Sequence, residues 1–477
     1  MNLRRLGGLD AAFLAAENEA NHMHMMAIML LDKDTIPGGY RFEKVRDFIA
    51  ERLHMVPPLR RRLIEVPFGI ARPLWIEDPE IDIERHIRRA AVPSPGGPRE
   101  IAAMAAEMNS HPLDHAYPLW EMVIVEGLSD GNVALLAKLH HAMMDGMAGM
   151  QYMASLVSPK PAARPPPPPE DDQRPRVPGP VELLMGAVPT VATRPLKLAR
   201  FTSNTLQEAI KQALRSDVDE LPDPQPVQRC ALNARITPER SAAYTSLRLD
   251  EVKAIGAAFS ATVNEVVLAL VGGAVREHLL AMGESVEVPL VAGIPASTHD
   301  EGGDDQANAY AIMFGSLATH ISDPRERLRE ICSSSRTEKK RDRLLWGQAL
   351  AELTEIPSSL FFTLVARAYW SLGVADRVTP FCNLVVSNVP GPPIPIYFAG
   401  ARIQNLYALG PIFDGVTLNL TVISVSGSLD VGLSACRKMF PDLWGLASRL
   451  TDALEELKAL IPQSPNQTAE DTSIPTR

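Results

Sequence analysis

His140-His141-Ala142-Met143-Met144-Asp145-Gly146 stands directly after the apolar run Val133 to Leu139 and before the helical stretch Met147 to Leu156. A strand ending in two adjacent imidazoles delivers a titratable group from a rigid scaffold into a loop. Adjacent side chains leave a strand on opposite faces, so one of His140 and His141 points into a given cleft while the other packs inward. Asp145 lies four residues after His141, where it can cap the next helix or pair with an arginine, and Gly146 permits a tight approach. Two histidines and an aspartate also admit a metal reading. Adjacent histidines seldom converge on one ion, however, and the nearby His111 and His115 lie in a proline-bracketed segment, so no metal is expected. With an ordinary pKa near 6.5, imidazole can take a proton from a hydroxyl or amine at neutral pH, which favours a proton-transfer base.

Outward from this motif, Glu121 to Gly127 and Asn132 to His140 read as two strands around Ser129-Asp130-Gly131. Upstream, Leu9 to Glu17 and Phe42 to Leu53 read as helices and His22 to Leu31 as a strand. Downstream, Leu249 to Phe259, Val263 to Leu280 and Asp323 to Arg343 read as helices and Val286 to Ile294 as a strand. Val416 to Val425 and Leu429 to Cys436 make a hairpin. Mixed order without strict β-α-β alternation predicts an α/β protein of two layered domains rather than a Rossmann or TIM fold.

Ten prolines between Pro159 and Pro180 predict a semi-rigid exposed linker. The expected divisions are an N-terminal domain over 1–158, a proline-rich linker over 159–228, a C-terminal domain over 229–462 and a disordered tail over 463–477. Within the linker, residues 196–216 read as an amphipathic helix, which either packs on a domain or sits on lipid.

At about 150 residues per domain, 477 residues leave room for two or three domains and sizeable cores. A formal net charge of −10 gives no electrostatic pull toward nucleic acid, and no nucleic-acid partner is expected. Cys230, Cys332, Cys382 and Cys436 are widely spaced and read as free thiols of a reducing cytoplasm. Neither a secretion signal nor a run of the ~20 apolar residues that span a bilayer is evident, so the expected location is cytoplasmic, with any membrane contact peripheral.

Further stretches carry a resemblance. His140 to Gly146, together with Leu9-Asp10-Ala11-Ala12-Phe13-Leu14, Pro118-Leu119-Trp120-Glu121, Thr262-Val263-Asn264-Glu265-Val266-Val267-Leu268-Ala269 and Ser387-Asn388-Val389-Pro390-Gly391-Pro392, resemble in order the bacterial wax ester synthase/diacylglycerol acyltransferase family. The likeness implies two chloramphenicol-acetyltransferase-like domains with mixed sheets and an active-site tunnel between them. Acyl-CoA would be the co-substrate, without a further cofactor, and diacylglycerol or a long-chain fatty alcohol the acceptor. The protein would associate peripherally with the inner membrane or lipid droplets. His141 matches the catalytic second histidine of the motif and His140 the first. Asp145, followed by Gly146, matches the residue that holds the loop, and Asn264 an asparagine beside the active site. Triacylglycerol synthesis is the expected activity; wax ester synthesis and a degenerate lipid- or CoA-binding module are the alternatives.

Two residues depart from the family pattern: Glu265 stands where Asp is usual, which would shift a carboxylate beside Asn264, and His299 stands where many members have arginine. The methionines of Met143, Met144, Met147, Met150 and Met153 read either as a polarizable lipid-facing surface or as core. Pro118-Leu119-Trp120 reads as a packing anchor, and Ser387 to Pro392 as a rigid turn. Arg60-Arg61-Arg62 is equally compatible with phosphate contact or an anionic membrane surface, and the basic residues of Arg325 to Arg343 read as a solvated helix face, so no CoA-binding residue can be assigned.

Overall fold

Strands with apolar side chains at period two dominate the chain, and each needs a second layer to cover its apolar face. The computed structural model describes residues 4–143, 152, 154–161, 166–167, 176–189, 227–297, 310–345, 363–364, 368 and 372–462. The first large sheet contains β2 (His24–Asp32), β5 (Ile87–Ala91), β6 (Trp120–Glu126), β7 (Val133–His140), β12 (Tyr397–Phe398) and β13 (Ala401–Leu409), in the spatial order β12-β13-β2-β7-β6-β5. Its pairings are antiparallel except β5 with β6. The second contains β8 (Arg240–Arg248), β9 (Val291–Ser297), β10 (Tyr310–Ser316), β11 (Leu384–Pro390), β14 (Leu418–Val425) and β15 (Ser428–Cys436), in the order β10-β9-β11-β14-β15-β8. Here β11 runs parallel to both β9 and β14. A small sheet, β1 (Arg4–Arg5), β4 (Leu74–Glu77) and β3 (Arg61–Ile64), flanks the first half. The expected α/β architecture of two halves with mixed sheets is therefore observed.

The second sheet is backed by the helices Val263–Ala281, Pro324–Leu345 and Trp444–Ala459, whose Leu268, Leu328 and Leu450 bury against Leu384, Val386, Leu420 and Val422. Thr262 caps the first of these, and apolar residues surround that helix almost completely, as a core helix requires. Among the described residues no single helix is long and apolar enough to cross a membrane. Leu119 and Trp120 are fully buried, Trp120 Nε1 donates to Leu59 O at 2.8 Å, and the His86 ring stacks on the indole. The Pro118-Leu119-Trp120 segment is thus the packing anchor that its sequence suggested.

The halves are interlocked. Residues 397–409 belong by sequence to the C-terminal half, yet β13 pairs with β2 along its length and adds to the first sheet. The edge strand β12 is tied in turn to Ser158, through Ser158 N to Tyr397 O at 2.9 Å and Tyr397 N to Ser158 O at 2.8 Å. A bulge between Ile403 and Asn405 turns the β13 backbone toward β15, where the buried Asp430 carboxylate accepts from Leu406 N (2.8 Å), Asn405 Nδ2 (3.0 Å), Ser246 Oγ (2.7 Å) and Ser428 Oγ (2.6 Å). Gly432 lets the strands cross, because a Cβ there would meet Ala408 O at 2.0 Å. A division of the chain near residue 229 therefore does not coincide with the division of the sheets.

Two local expectations are corrected. Ser387 to Pro392 is not wholly a turn: Leu384–Pro390 is strand β11, paired with β14 from Val385↔Asn419 to Pro390↔Ser424. Proline is tolerated because it closes the strand, and Gly391, whose Cβ would meet Ser424 O at 2.4 Å, makes the exit. The proline-rich segment also contains a docked helix, Pro180–Pro189, whose Leu183 and Ala187 bury against Val66, Ala71 and Leu74. The expected amphipathic helix at 196–216 and the tail at 463–477 lie outside the described residues.

Replacing Asp430 by alanine strands several donors at the strand crossing. The variant is expected to lose roughly 3 kcal/mol of unfolding free energy, measured by chemical denaturation, against less than about 1.5 kcal/mol for Ser428→Ala, which removes one of the four bonds.

Candidate active site

The two motif histidines separate at the end of β7. His140 N donates to Leu119 O at 3.0 Å and His141 N to Met23 O at 2.9 Å, so the segments that lead into β6 and β2 both hold this corner. His140 faces inward and is fully buried. Ala142 N–H donates to its Nδ1 at 3.0 Å, which places the proton of the neutral ring on Nε2, 3.0 Å from Glu17 Oε1. The other Glu17 oxygen lies 2.8 Å from His115 Nε2. Burial pushes the Glu17 carboxyl up, but its contacts with His115 and His140 more than reverse this and hold it at about 2. The same contact raises His115, against the opposing effect of burial. His24, directly across from His140 in the sheet, is buried and pushed well below the usual imidazole range.

His141 points the other way, onto the wall of a cavity of about 660 Å³ between the two large sheets. Its ring packs on Phe13 with centroids 4.5 Å apart. Burial, with a smaller electrostatic contribution from His140, lowers its pKa to about 4, so the imidazole is neutral at pH 7 and can accept a proton. The first half supplies Met25, Met29 and Leu139 to the wall, and the second supplies Ile294, Met313 and Val389. Half of the methionines lining the cavity, Met25, Met26 and Met29, lie on β2. Of those in the motif region, Met143 is core, and Met144, Met147, Met150 and Met153 lie outside the described residues.

Asn264 reaches the same cavity from the second half, in the first turn of the Val263–Ala281 helix. Its Oδ1 accepts from Asn388 Nδ2 at 3.4 Å, which joins two of the quoted motifs across the sheet. Glu265 does not place a carboxylate beside Asn264 in the cavity. It is buried and closes the capping box, accepting from Thr262 N at 2.8 Å and Thr262 Oγ1 at 2.9 Å. The longer side chain is the usual one for this box. The structure brings His141 and Asn264 to one cavity and sets His140 behind the wall; Asp145, Gly146 and His299 lie outside the described residues.

Sequence reasoning missed Glu17, Phe13 as a partner of His141, and the polar wall residues Ser387, Asn419 and Thr421. Glu17 lies three residues past the quoted Leu9 to Leu14 segment, and only the fold carries it to His140. Among the described residues of the basic clusters, Arg60 lies 2.8 Å from Glu77, Arg62 3.7 Å from Asp78, and the buried Arg327 donates to Ile321 O and Ser322 O.

The chain matches the wax ester synthase/diacylglycerol acyltransferase catalytic domain over residues 6–267 and the C-terminal domain of the same proteins over residues 306–458. A Mycobacterium tuberculosis protein named as a diacylglycerol O-acyltransferase is 33% identical over 457 residues, 95% of this chain and 90% of that one. A Mycobacterium bovis protein of the same name is 32% identical over 466 residues, 95% and 98% of the two chains. Among solved structures, the wax ester synthase/diacylglycerol acyltransferase of Marinobacter aquaeolei superposes with a TM-score of 0.68 at 28% identity, covering 96% of this chain and 99% of that one. The trichothecene 15-O-acetyltransferase of Fusarium sporotrichioides, at 12% identity, covers 95% of each chain with a TM-score of 0.57 and shares the fold.

Histidine-resolved NMR is expected to show His141 titrating near pH 4 and His115 above the ordinary value of about 6.5. Glu17→Gln should bring His115 back toward that value while leaving the depression of His141, whose largest cause is burial, in place.

Proposed function

Because the chain belongs to the wax ester synthase/diacylglycerol acyltransferase family and is an acyltransferase, we propose that it transfers an acyl group from acyl-CoA to diacylglycerol, with His141 as general base. The observation that carries this reading is the buried His141 imidazole on the wall of a largely apolar cavity, whose volume lies within the usual range of about 300–1,000 Å³ for small-molecule sites. The acceptor hydroxyl gives its proton to His141 as its oxygen attacks the thioester carbonyl. The tetrahedral oxyanion then collapses, the carbon–sulfur bond breaks, and the departing thiolate takes the proton from the imidazolium. Ester and CoA result, and no enzyme nucleophile is needed.

Burial serves this chemistry in two ways. It keeps His141 deprotonated, and it strengthens any donor aimed at the oxyanion. Asn264 has a side-chain amide on the cavity, oriented by Asn388, and supplies such a donor. His140 acts at one remove: its anchored ring, held at Ala142 N and Glu17, sets the corner from which His141 projects.

The same reading places the protein on a lipid surface in the cytoplasm, at the inner membrane or at lipid droplets. Phe68 supports this, being 82% exposed and held outward at a positive φ of 63°. So does the docked Pro180–Pro189 helix, which exposes Val181, Met185 and Val188 on the face opposite its buried residues. Wax ester synthesis uses the same chemistry with a long-chain alcohol as acceptor.

CoA release by the purified protein, with a long-chain acyl-CoA and either diacylglycerol or hexadecanol, is expected to depend on acceptor and to fall roughly 10²- to 10⁴-fold in His141→Ala. A smaller loss in His140→Ala would fit a positioning role; acceptor-independent release would defeat the transferase reading. In flotation with anionic liposomes, Phe68→Ser combined with Met185→Ser is expected to lower the bound fraction severalfold.

A further inference from the structure

The two strands that form the C-terminal wall of the cavity alternate in an unexpected way. β11 and β14 run in register, Val385 beside Asn419, Ser387 beside Thr421 and Val389 beside Ile423, and all six residues line the cavity. The residues between them, Leu384, Val386, Leu418, Leu420 and Val422, pack into the apolar core on the other face. Both strands are therefore buried on both sides, where valine and isoleucine are the usual choice. Yet three adjacent positions on the cavity face are Ser387, Asn419 and Thr421. Polar groups in such surroundings cost free energy unless they are hydrogen-bonded.

Their bonding is incomplete in one sense only. Thr421 Oγ1 donates to Asn419 Oδ1 at 3.0 Å, and Asn419 Nδ2 donates one hydrogen to Pro411 O at 3.2 Å. Among the described residues Ser387 Oγ has no hydrogen bond, and Asn419 retains its second amide hydrogen. The groups left facing the cavity therefore include two donors, at diagonal positions of the paired strands. An ester carbonyl is an acceptor without a hydrogen to give, and it complements such a pair. Diacylglycerol carries two ester groups beyond its reacting hydroxyl, whereas a fatty alcohol carries none.

We propose that Ser387 and Asn419, with Thr421 orienting the asparagine, form a subsite for an ester carbonyl of the acceptor and so favour diacylglycerol over long-chain alcohols. The proposal rests on the transferase reading above and adds to it the source of acceptor choice. Asn419 also fills the space against Gly410, where a Cβ would meet its amide nitrogen at 2.5 Å, so its replacement would disturb the turn before Pro411. Ser387 and Thr421 are the positions to test. Thr421→Val keeps the shape and removes the hydroxyl; Ser387→Ala removes one donor.

The experiment compares kcat/KM for dioleoylglycerol and for hexadecanol, with palmitoyl-CoA, in full-length wild type, Ser387→Ala, Thr421→Val, the double variant and Thr421→Ser. The expected result is a roughly tenfold fall in the diacylglycerol-to-hexadecanol ratio in the double variant, a smaller fall in each single variant, and a ratio near wild type in Thr421→Ser. A ratio that stays constant, whether the two rates fall together or hold, overturns the subsite and assigns these residues to the thioester or to packing. A Thr421→Ser ratio as low as that of Thr421→Val overturns the role of the hydroxyl. Wild-type protein that transfers to neither acceptor overturns the transferase reading itself, a result distinct from a constant ratio. Unfolding midpoints of all variants separate loss of fold from loss of selectivity.

Discussion

A single buried carboxylate holds the architecture together. Asp430, in the middle of the C-terminal half, receives hydrogen bonds from the strand that the same half lends to the N-terminal sheet. Without β13 the first sheet would end at β2, and the Leu406 and Ala408 contribution to the cavity wall would be missing. A charge without partners at this depth would be very costly. Four donors within about hydrogen-bonding distance make it a pin that links a backbone bulge to two strands of the other sheet. The β-bulge, which leaves Gln404 without a partner in the ladder with β2, stands beside Asn405 and Leu406, whose amides reach Asp430.

The interlock bears directly on chemistry. A cavity between two halves that could slide would present His141 and Asn264 at variable separation, and proton transfer tolerates little misplacement. Here one wall is continuous with β7, whose last residue is anchored by Leu119 O, and the other with the capped end of a core helix. The histidine behind the wall is kept by Glu17, and the histidine on the wall is kept neutral by burial. Neighbouring imidazoles thus have different surroundings because β7 sends their side chains to opposite sides of the same strand. The polar row on β11 and β14 follows the same logic at the far wall, where alternation separates a dry core face from a face that lines the cavity.

Much of this was legible from residue patterns. Helices at Phe42–Arg52, Leu249–Phe259 and Val263–Ala281 and the hairpin of β14 and β15 lie where periodicity and turn residues predict them. Local signals suffice there, since capping, spacing and Gly-containing turns act over a few residues. Other elements carried weaker signals. β11 hides behind prolines that mark its exit, and the Pro180–Pro189 helix hides in a segment whose composition points to an exposed linker. Glu265 reads as a departure in a motif, and its carboxylate proves to be the partner of its own helix cap.

By itself the sequence determined the α/β class, the strand-to-loop placement of His140 and His141, the buried anchor at Leu119-Trp120 and the family to which the chain belongs. Each of these depends on residues close together in the chain, or on motifs in a recognisable order. Only the tertiary structure decided which histidine faces the cavity, that Glu17 and His115 support the other one, that β13 completes the opposite sheet, and that Asn264 meets Asn388. Those facts join residues up to several hundred positions apart. No local propensity encodes them, because they arise when apolar faces from distant segments must be covered at once and every polar group caught between them must find a partner.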